Sequence, residues 1–170
     1  MSATDLRLIV EVEDARWQEA LPDVERILGR SIGLALERTR SDGRPIEVGV
    51  RLVDDGTIQG LNRDWRGRDK PTNVLSFPLG APDQTGDPAL PWLIGDIVMG
   101  FDTVLGEAEA EGKPLGHHVA HLAIHAALHL TGHDHEGEAE AALMEQAEIA
   151  LLGRLGIPDP YAERQAGGPV

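Results

Sequence analysis

The pattern of hydrophobic and polar positions along the first hundred residues predicts strands and helices that alternate. The segments LRLIVEV and IEVGVRLVD alternate apolar and polar residues and are rich in β-branched side chains, which is typical of half-buried strands. NVLSFPL and WLIGDIVMG predict two further strands. The predicted strands therefore cover residues 6–12, 46–54, 73–79 and 92–100, and helical spacing of apolar residues predicts helices at 21–39 and 55–62.

After residue 100 the pattern becomes helical. Three helices are predicted, at 102–111, 116–130 and about 137–155, and a Pro/Gly-rich loop spans 80–91. Strands that come early and helices that dominate late indicate an α+β fold, in which helices pack on a small mixed β-sheet. We predict one domain over residues 1–162 and a flexible tail at 163–170, where the sequence reads ERQAGGPV.

Composition limits the chemistry that is available. The chain of 170 residues has no cysteine, so a metal ion would have to be bound by histidine and carboxylate side chains. The first residues lack the basic region of a signal peptide, and no segment approaches the roughly 20 apolar residues that a membrane helix needs. We therefore expect a cytoplasmic protein with no membrane partner.

The formal net charge of −14 is unevenly distributed. Residues 1–80 carry 14 acidic and 12 basic side chains, whereas residues 81–170 carry 15 acidic and 3 basic ones. Such a chain should repel nucleic acid unless a local basic feature binds it. One basic cluster exists in NRDWRGRDKPTNV, formed by Arg63, Arg66, Arg68 and Lys70. The alternative interpretation of this cluster is a solvated loop.

All seven histidines lie between residues 117 and 135, and most of them fall on a predicted helix that is otherwise apolar nearly all round. Such a helix is normally buried, and buried imidazoles need partners for their ring nitrogens. His125 and His129 are four residues apart, which places both on one face, as in helical zinc sites. The alternative is a polar stripe whose rings are satisfied by backbone and water.

A third ligand is expected just beyond that helix. Gly132 can end the helix and let the chain turn back, which would return His133 or His135 toward the pair. We favour His135, because it completes the spacing H-x-x-x-H-x-x-G-x-x-H. Three imidazoles would hold one Zn²⁺ and leave a fourth tetrahedral position open.

Ala126 occupies the position where zinc peptidases with the H-E-x-x-H signature carry a glutamate as general base. An alanine cannot accept a proton from water, so ordinary peptide hydrolysis is disfavoured. A base from elsewhere, such as Asp134, stays possible on the sequence alone.

Two separated blocks of the sequence resemble the bacterial YbeY family of metal-dependent endoribonucleases and ribosomal RNA maturation factors. They are NRDWRGRDKPTNVLSFPLGAP and HLAIHAALHLTGHDH, and LIGDIVM, GKPLGHHVAHL and LGIPDPY add matches in the same order. The similarity covers roughly residues 47–161. Two positions depart from the family pattern: Ala126 replaces a glycine, and His133 replaces a tyrosine.

The resemblance implies a zincin-like fold, with the metal site at the end of the histidine-bearing helix. It also implies that His125, His129 and His135 bind zinc and that Arg66 is important for function. His121 and Asp134 are candidates for orienting the ligands, and the alternative for each is a role in the core or at the helix end. Arg66 could stabilise charge on a phosphodiester, or could instead form a surface salt bridge with Asp64 or Asp69.

The function implied by the resemblance is zinc-dependent, single-strand-specific cleavage of RNA in maturation of the 16S ribosomal RNA 3′ end and in ribosome quality control. Single-stranded RNA and the ribosome or its associated proteins are then the expected partners. Two alternatives are a metalloprotease-like hydrolase and a non-catalytic, metal-stabilised ribosome assembly factor. Trp65, Phe77 and Trp92 could stack on bases, although packing is the simpler interpretation for each.

Overall fold

The computed structural model describes residues 5–39, 43–80, 87, 89–132 and 137–162. The predicted loop at 80–91 and the predicted tail at 163–170 fall largely or wholly outside these ranges. In chain order the elements are β1 (Leu6–Val12), α1 (Arg16–Ala20), α2 (Val24–Leu36), β2 (Ile46–Val53), α3 (Asp55–Arg66), β3 (Val74–Pro78), β4 (Trp92–Gly100), α4 (Phe101–Glu111), α5 (Leu115–Leu130) and α6 (Glu138–Arg154).

The four strands form one mixed sheet in the order β1-β2-β4-β3. β1 pairs with β2 and β2 pairs with β4 in parallel, while β3 runs antiparallel along the edge of β4. This arrangement confirms the prediction of an α+β fold built on a small mixed sheet. All four predicted strands are present within one residue of their expected bounds.

The hydrophobic core lies between one face of the sheet and the helices α2 and α5. Every second residue of β2 points into it, and so do apolar residues of both helices. α6 packs on another side of α5, where Ile124 and Leu128 contact Met144 and Leu152. Because it is covered by the sheet, α2 and α6, α5 has the nearly all-apolar composition of a buried helix.

The opposite face of the sheet is only partly covered. α3 packs there through Ile58 against Val98 of β4, and the remaining outward-facing side chains of β1, β2 and β4 border a groove. α2 and α5 cover one face of the sheet, whereas α3 covers only part of the other. The groove on that second face is therefore accessible. None of the helices in the described ranges has the length and apolar character needed to span a bilayer.

The structure departs from the sequence-based prediction at three helices. α2, predicted over 21–39, is confined to Val24–Leu36. α3 continues to Arg66, four residues beyond the predicted end at Asn62, because Gly67 is the first residue to adopt a left-handed conformation, with φ of 69°. Its start is fixed by Asp54, whose side chain accepts a hydrogen bond from the Thr57 amide at 2.8 Å. The five-residue helix α1 was not predicted, since it is too short to show periodicity.

Candidate functional site

α5 places the histidines that the sequence analysis singled out along one side of a cavity of about 360 Å³. His121, His125 and His129 project from successive turns, because residues four apart lie on one helical face. The facing wall is formed by the edge strand β3 and by Arg66 from the end of α3. Tyr161 lines the same cavity.

His125 and His129 approach each other closely. Their Nε2 atoms are 3.2 Å apart, and the ring centroids are 4.7 Å apart. Two nitrogens that bind one tetrahedral zinc ion at about 2.0–2.1 Å would be separated by about 3.3 Å. The distance between the two Nε2 atoms is therefore close to that expected for two nitrogens on one zinc ion.

Glu148 of α6 is a carboxylate that is 1% exposed and lies behind the histidines. It accepts hydrogen bonds from His121 Nε2 at 2.6 Å, from Tyr161 Oη at 2.7 Å and from His125 Nδ1 at 3.1 Å. Burial alone would raise the pKa of Glu148, but the hydrogen bonds from His121 and His125, with that of Tyr161, lower its pKa to about 2. The side chain is therefore ionised at neutral pH.

An ionised Glu148 determines which nitrogen of each neutral imidazole carries the proton. A carboxylate can only accept hydrogen bonds, so His125 must donate from Nδ1 and therefore presents the lone pair of Nε2 toward His129. A carboxylate that fixes the tautomer of a histidine in this way is the usual support of a metal-ligating imidazole. His121 donates from Nε2, and its Nδ1 is buried with no hydrogen-bond partner among the described residues.

A buried histidine that does not line the cavity supports its wall. His118 is 4% exposed, and its Nε2 lies 2.9 Å from Glu107 of α4. Burial raises the pKa of Glu107, but hydrogen bonds from His118 and from the Asn73 amide outweigh it, and the net pKa is lowered. Asn73 immediately precedes β3 and also accepts a hydrogen bond from the Val74 amide at 2.6 Å. These contacts join α4, α5 and the start of the strand that faces the imidazoles.

Arg66 is the member of the basic cluster that lines the cavity. Its Nη2 donates to the Ser76 carbonyl oxygen at 3.2 Å, which holds the exposed side chain across from α5. The alternative of a salt bridge to Asp64 or Asp69 is not what the structure shows. Asp64 pairs with Arg63 at 3.0 Å, and Asp69 accepts from Gln59 at 3.1 Å.

The predicted site residues fall into two groups. His121, His125, His129 and Arg66 line one cavity, and His121 contacts Glu148. His133, Asp134 and His135 lie outside the described residues, so the predicted third ligand and the Asp134 role stay predictions. Within the described ranges, no group of three or more histidine, aspartate or glutamate side chains is arranged to hold a metal ion.

Sequence reasoning missed Glu148 and Tyr161. A signal for Glu148 was present, because Met144, Glu148 and Leu152 are four residues apart and all three are buried on the inner face of α6. A lone acid in an apolar stripe of this kind requires a polar partner inside the protein. Tyr161, the single tyrosine of the chain, lies beyond the last helix, and helical periodicity gives no information about its direction.

The fold and the cavity together define a class: an α+β protein in which a buried helix presents an imidazole pair, backed by a carboxylate and faced by an arginine. This is a side-chain set suited to binding a divalent metal and to phosphodiester chemistry. The family model described as Endoribonuclease YbeY matches residues 11–156. The chain belongs to the Endoribonuclease YbeY family, which confirms the resemblance seen in the sequence.

Several relatives are similar over most of their length. Endoribonuclease YbeY of Paramagnetospirillum magneticum is 45% identical over 160 residues, which are 94% of this chain and 98% of that protein. Endoribonuclease YbeY of Rhodopseudomonas palustris strain CGA009 is 50% identical over 153 residues, covering 90% of this chain and 80% of that protein. The Bradyrhizobium sp. protein of the same name is 47% identical over 150 residues and covers 88% of both chains.

A solved structure shares the fold. The solution structure of TM1509 from Thermotoga maritima superposes with a TM-score of 0.56 and covers 95% of this chain and 94% of its own. The two sequences are 21% identical, so this likeness bears on the arrangement of helices and strands alone.

Proposed function

We propose that the cavity between α5 and β3 is the catalytic centre with which this member of the endoribonuclease family cleaves single-stranded RNA. The observation that carries the proposal is the His125–His129 pair. Its Nε2 atoms lie 3.2 Å apart, the Nδ1 of one ring is fixed by Glu148, and Arg66 lies across the cavity.

One zinc ion is the proposed cofactor. His125 and His129 would hold it, with His135 as the third ligand expected from the sequence. The fit rests on the distance between the two Nε2 atoms and on the proton that Glu148 keeps on His125 Nδ1. When bound, a zinc ion supplies Lewis-acid polarisation of a phosphoryl oxygen and makes water more acidic.

The side chains around the imidazoles have separate tasks in this proposal. Arg66 binds a non-bridging oxygen of the phosphodiester, because its planar guanidinium is permanently charged and is already held across the cavity by the Ser76 carbonyl. Glu148 keeps His125 in the required tautomer, and His121 and Tyr161 keep Glu148 ionised. For Asp134 we keep the role expected from the sequence, which is to help orient the metal-ligating histidines.

The proposal also includes a zincin-like fold and a role in the maturation of ribosomal RNA. The mixed sheet beside a histidine-bearing helix supports the zincin-like arrangement. We propose that the substrate is ribosomal RNA at the 16S 3′ end, in the cytoplasm, with a role in ribosome quality control. The net charge of −14 favours RNA that is presented by the ribosome or a bound protein over capture of free RNA by long-range attraction.

The test compares zinc-loaded wild type with His125→Ala, His129→Ala and Arg66→Ala on single-stranded RNA, duplex RNA and casein. We expect cleavage of single-stranded RNA only, with kcat reduced roughly 10²–10³-fold in the Arg66 variant and at least as much in the histidine variants. Arg63→Ala is the matched control, because Arg63 pairs with Asp64 and does not line the cavity, and it should cut at the wild-type rate.

Three results would contradict the proposal. Undiminished RNA cleavage by His125→Ala would show that the catalytic centre lies elsewhere. Cleavage of casein would support a metalloprotease-like hydrolase instead. Absence of any cleavage by the zinc-loaded protein, together with unprocessed ribosomal RNA in depleted cells, would support a non-catalytic assembly factor.

A further inference from the structure

A second cavity of about 690 Å³ lies on the open face of the sheet. We call it the sheet groove. Its floor is formed by outward-facing residues of β1, β2 and β4, and its walls by α3 and β3, with Ile9, Leu93 and Phe77 among the apolar residues that line it. It has a different lining from the imidazole cavity, with which it shares only Arg66 and Ser76 among the described residues.

Trp65 stands at the wall of the sheet groove and is 71% exposed. The expectation that this tryptophan serves packing is therefore wrong, because most of its side chain is exposed in the described part of the chain. Its ring forms an edge-to-face contact with partly buried Phe77, at a centroid distance of 6.1 Å. An exposed indole that is held in place by a second ring is a suitable surface for stacking a flat ligand.

Arg66 connects the sheet groove to the imidazole cavity, since its side chain lines both. Trp65 is its neighbour in sequence. An RNA strand whose phosphodiester lies between Arg66 and the imidazole pair would therefore lie beside the sheet groove, which Arg66 also lines. This continuity indicates nucleic acid as the occupant, in preference to a protein segment.

The charges inside the sheet groove determine which part of a nucleotide can enter. Glu11, Glu47 and Asp96 line it, and the guanidinium of Arg51 is already paired with Glu13. Carboxylates repel a phosphate but not an uncharged base. The base would therefore enter the groove, while the phosphate stays beside Arg66.

We propose that Trp65 and Phe77 form a stacking subsite for one unpaired RNA base next to the scissile phosphodiester. A base that is paired and stacked in a duplex cannot enter the groove, so the subsite selects single-stranded RNA. The inference rests on the proposed function only for the position of the scissile phosphodiester.

The kinetic test compares Trp65→Ala with Leu143→Ala, which removes an equally exposed apolar side chain, 69% exposed, from α6. Loss of one base–aromatic stack corresponds to roughly a 5- to 150-fold increase in KM for single-stranded RNA. We expect kcat to change little in Trp65→Ala, Trp65→Phe to restore most of the affinity, and Leu143→Ala to match wild type. A KM for Trp65→Ala equal to that of wild type would overturn the proposal.

Tryptophan fluorescence provides a readout that does not depend on cleavage. The chain has three tryptophans, and Trp17 is fully buried and shielded from contact with a ligand. In a Trp92→Phe variant, a change of fluorescence caused by bound RNA therefore reports mainly on Trp65. His125→Ala is added to prevent cleavage. The fluorescence of this double variant should be quenched by single-stranded RNA, but not by duplex RNA or by an abasic ribose-phosphate oligomer of equal length. Equal quenching by the abasic oligomer would contradict base stacking.

The outcomes separate this inference from the proposed catalytic centre. Retained cleavage by His125→Ala would contradict the proposed catalytic centre, whereas initial quenching by single-stranded RNA, read before cleavage proceeds, would still report whether Trp65 stacks on a base. Normal catalysis at the imidazole pair without quenching of Trp65 would contradict the stacking subsite and leave the proposed catalytic centre unaffected. A dimer in sedimentation that Trp65→Ala abolishes, together with unchanged RNA affinity, would mean that a second copy of the chain occupies the groove, and would overturn the proposal.

Discussion

Replacement of Glu148 by glutamine tests whether this carboxylate fixes the protonation of the candidate ligands. One oxygen of Glu148 accepts from His121 and Tyr161, and the other accepts from His125. Glutamine offers only one acceptor oxygen, and its amide group must face an N–H donor on one side or the other.

Either orientation of the amide disturbs the site. If the amide faces His125, the His125 proton must move to Nε2, which lies 3.2 Å from His129 Nε2. If it faces His121, the His121 proton must move to Nδ1, which is buried with no hydrogen-bond partner among the described residues. In either case a hydrogen bond from an imidazole to the buried Glu148 carboxylate is lost, and loss of a buried hydrogen-bond partner costs about 1–3 kcal/mol. For a chain of this length that corresponds to a fall in melting temperature of about 2–10 °C.

The larger and more specific effect should be on zinc affinity. Loss of a group that orients a metal-ligating histidine typically weakens metal binding about 10- to 100-fold. Chelator competition measures the zinc affinity, and calorimetry of metal-free protein measures the loss of stability. Glu140→Gln is the matched control, because it makes the same charge change on an exposed turn of α6. Zinc affinity of Glu148→Gln equal to that of wild type would refute the reasoning.

Two further predictions concern stability. The folded-state pKa of Glu148 is about 2, below the ordinary value of 4.5, so its stabilisation is present above about pH 4.5 and is lost as the pH falls toward 2. The stability difference between metal-free wild type and Glu148→Gln should shrink over that range in denaturant titrations, and a constant difference would contradict the assignment. Gly95→Ala should destabilise by about 1–3 kcal/mol, because a Cβ there would lie 2.5 Å from the Phe77 carbonyl oxygen and 2.6 Å from Leu130. At Gly106 of α4 an added Cβ would meet no atom within 4 Å among the described residues beyond its own helix backbone. Gly106→Ala should therefore be neutral or stabilising by up to about 1 kcal/mol in the same unfolding measurement, and equal effects at both positions would contradict the steric explanation.

The sequence was sufficient to predict the sheet and the long helices. β2 alternates buried apolar residues with partly exposed ones such as Glu47 and Arg51, and this period of two is a property of the strand itself. The His125–His129 pair was also predictable, because a spacing of four residues on a helix determines that both rings share a face. The direction of side chains within one strand or helix depends only on their spacing in the sequence, so sequence patterns are enough to predict it.

Contacts between distant elements could not be predicted in the same way. Glu148 meets His125 only because α6 packs against α5, and a sequence pattern within one helix does not specify the register of that packing. The position of Arg66 could not be predicted for the same reason, because its hydrogen bond to the Ser76 carbonyl depends on how α3 packs beside β3. The exposure of Trp65 follows from the same long-range arrangement, and composition alone favoured burial of an aromatic residue.

The central claim is that His125 and His129 hold one zinc ion through their Nε2 atoms. Anomalous diffraction at the zinc edge, from crystals grown with added zinc, tests it most directly. We expect one peak about 2.0–2.1 Å from both Nε2 atoms, with the density also identifying the third ligand expected at His135. Zinc bound elsewhere, or fully occupied zinc with these two rings directed away from it, would contradict the claim.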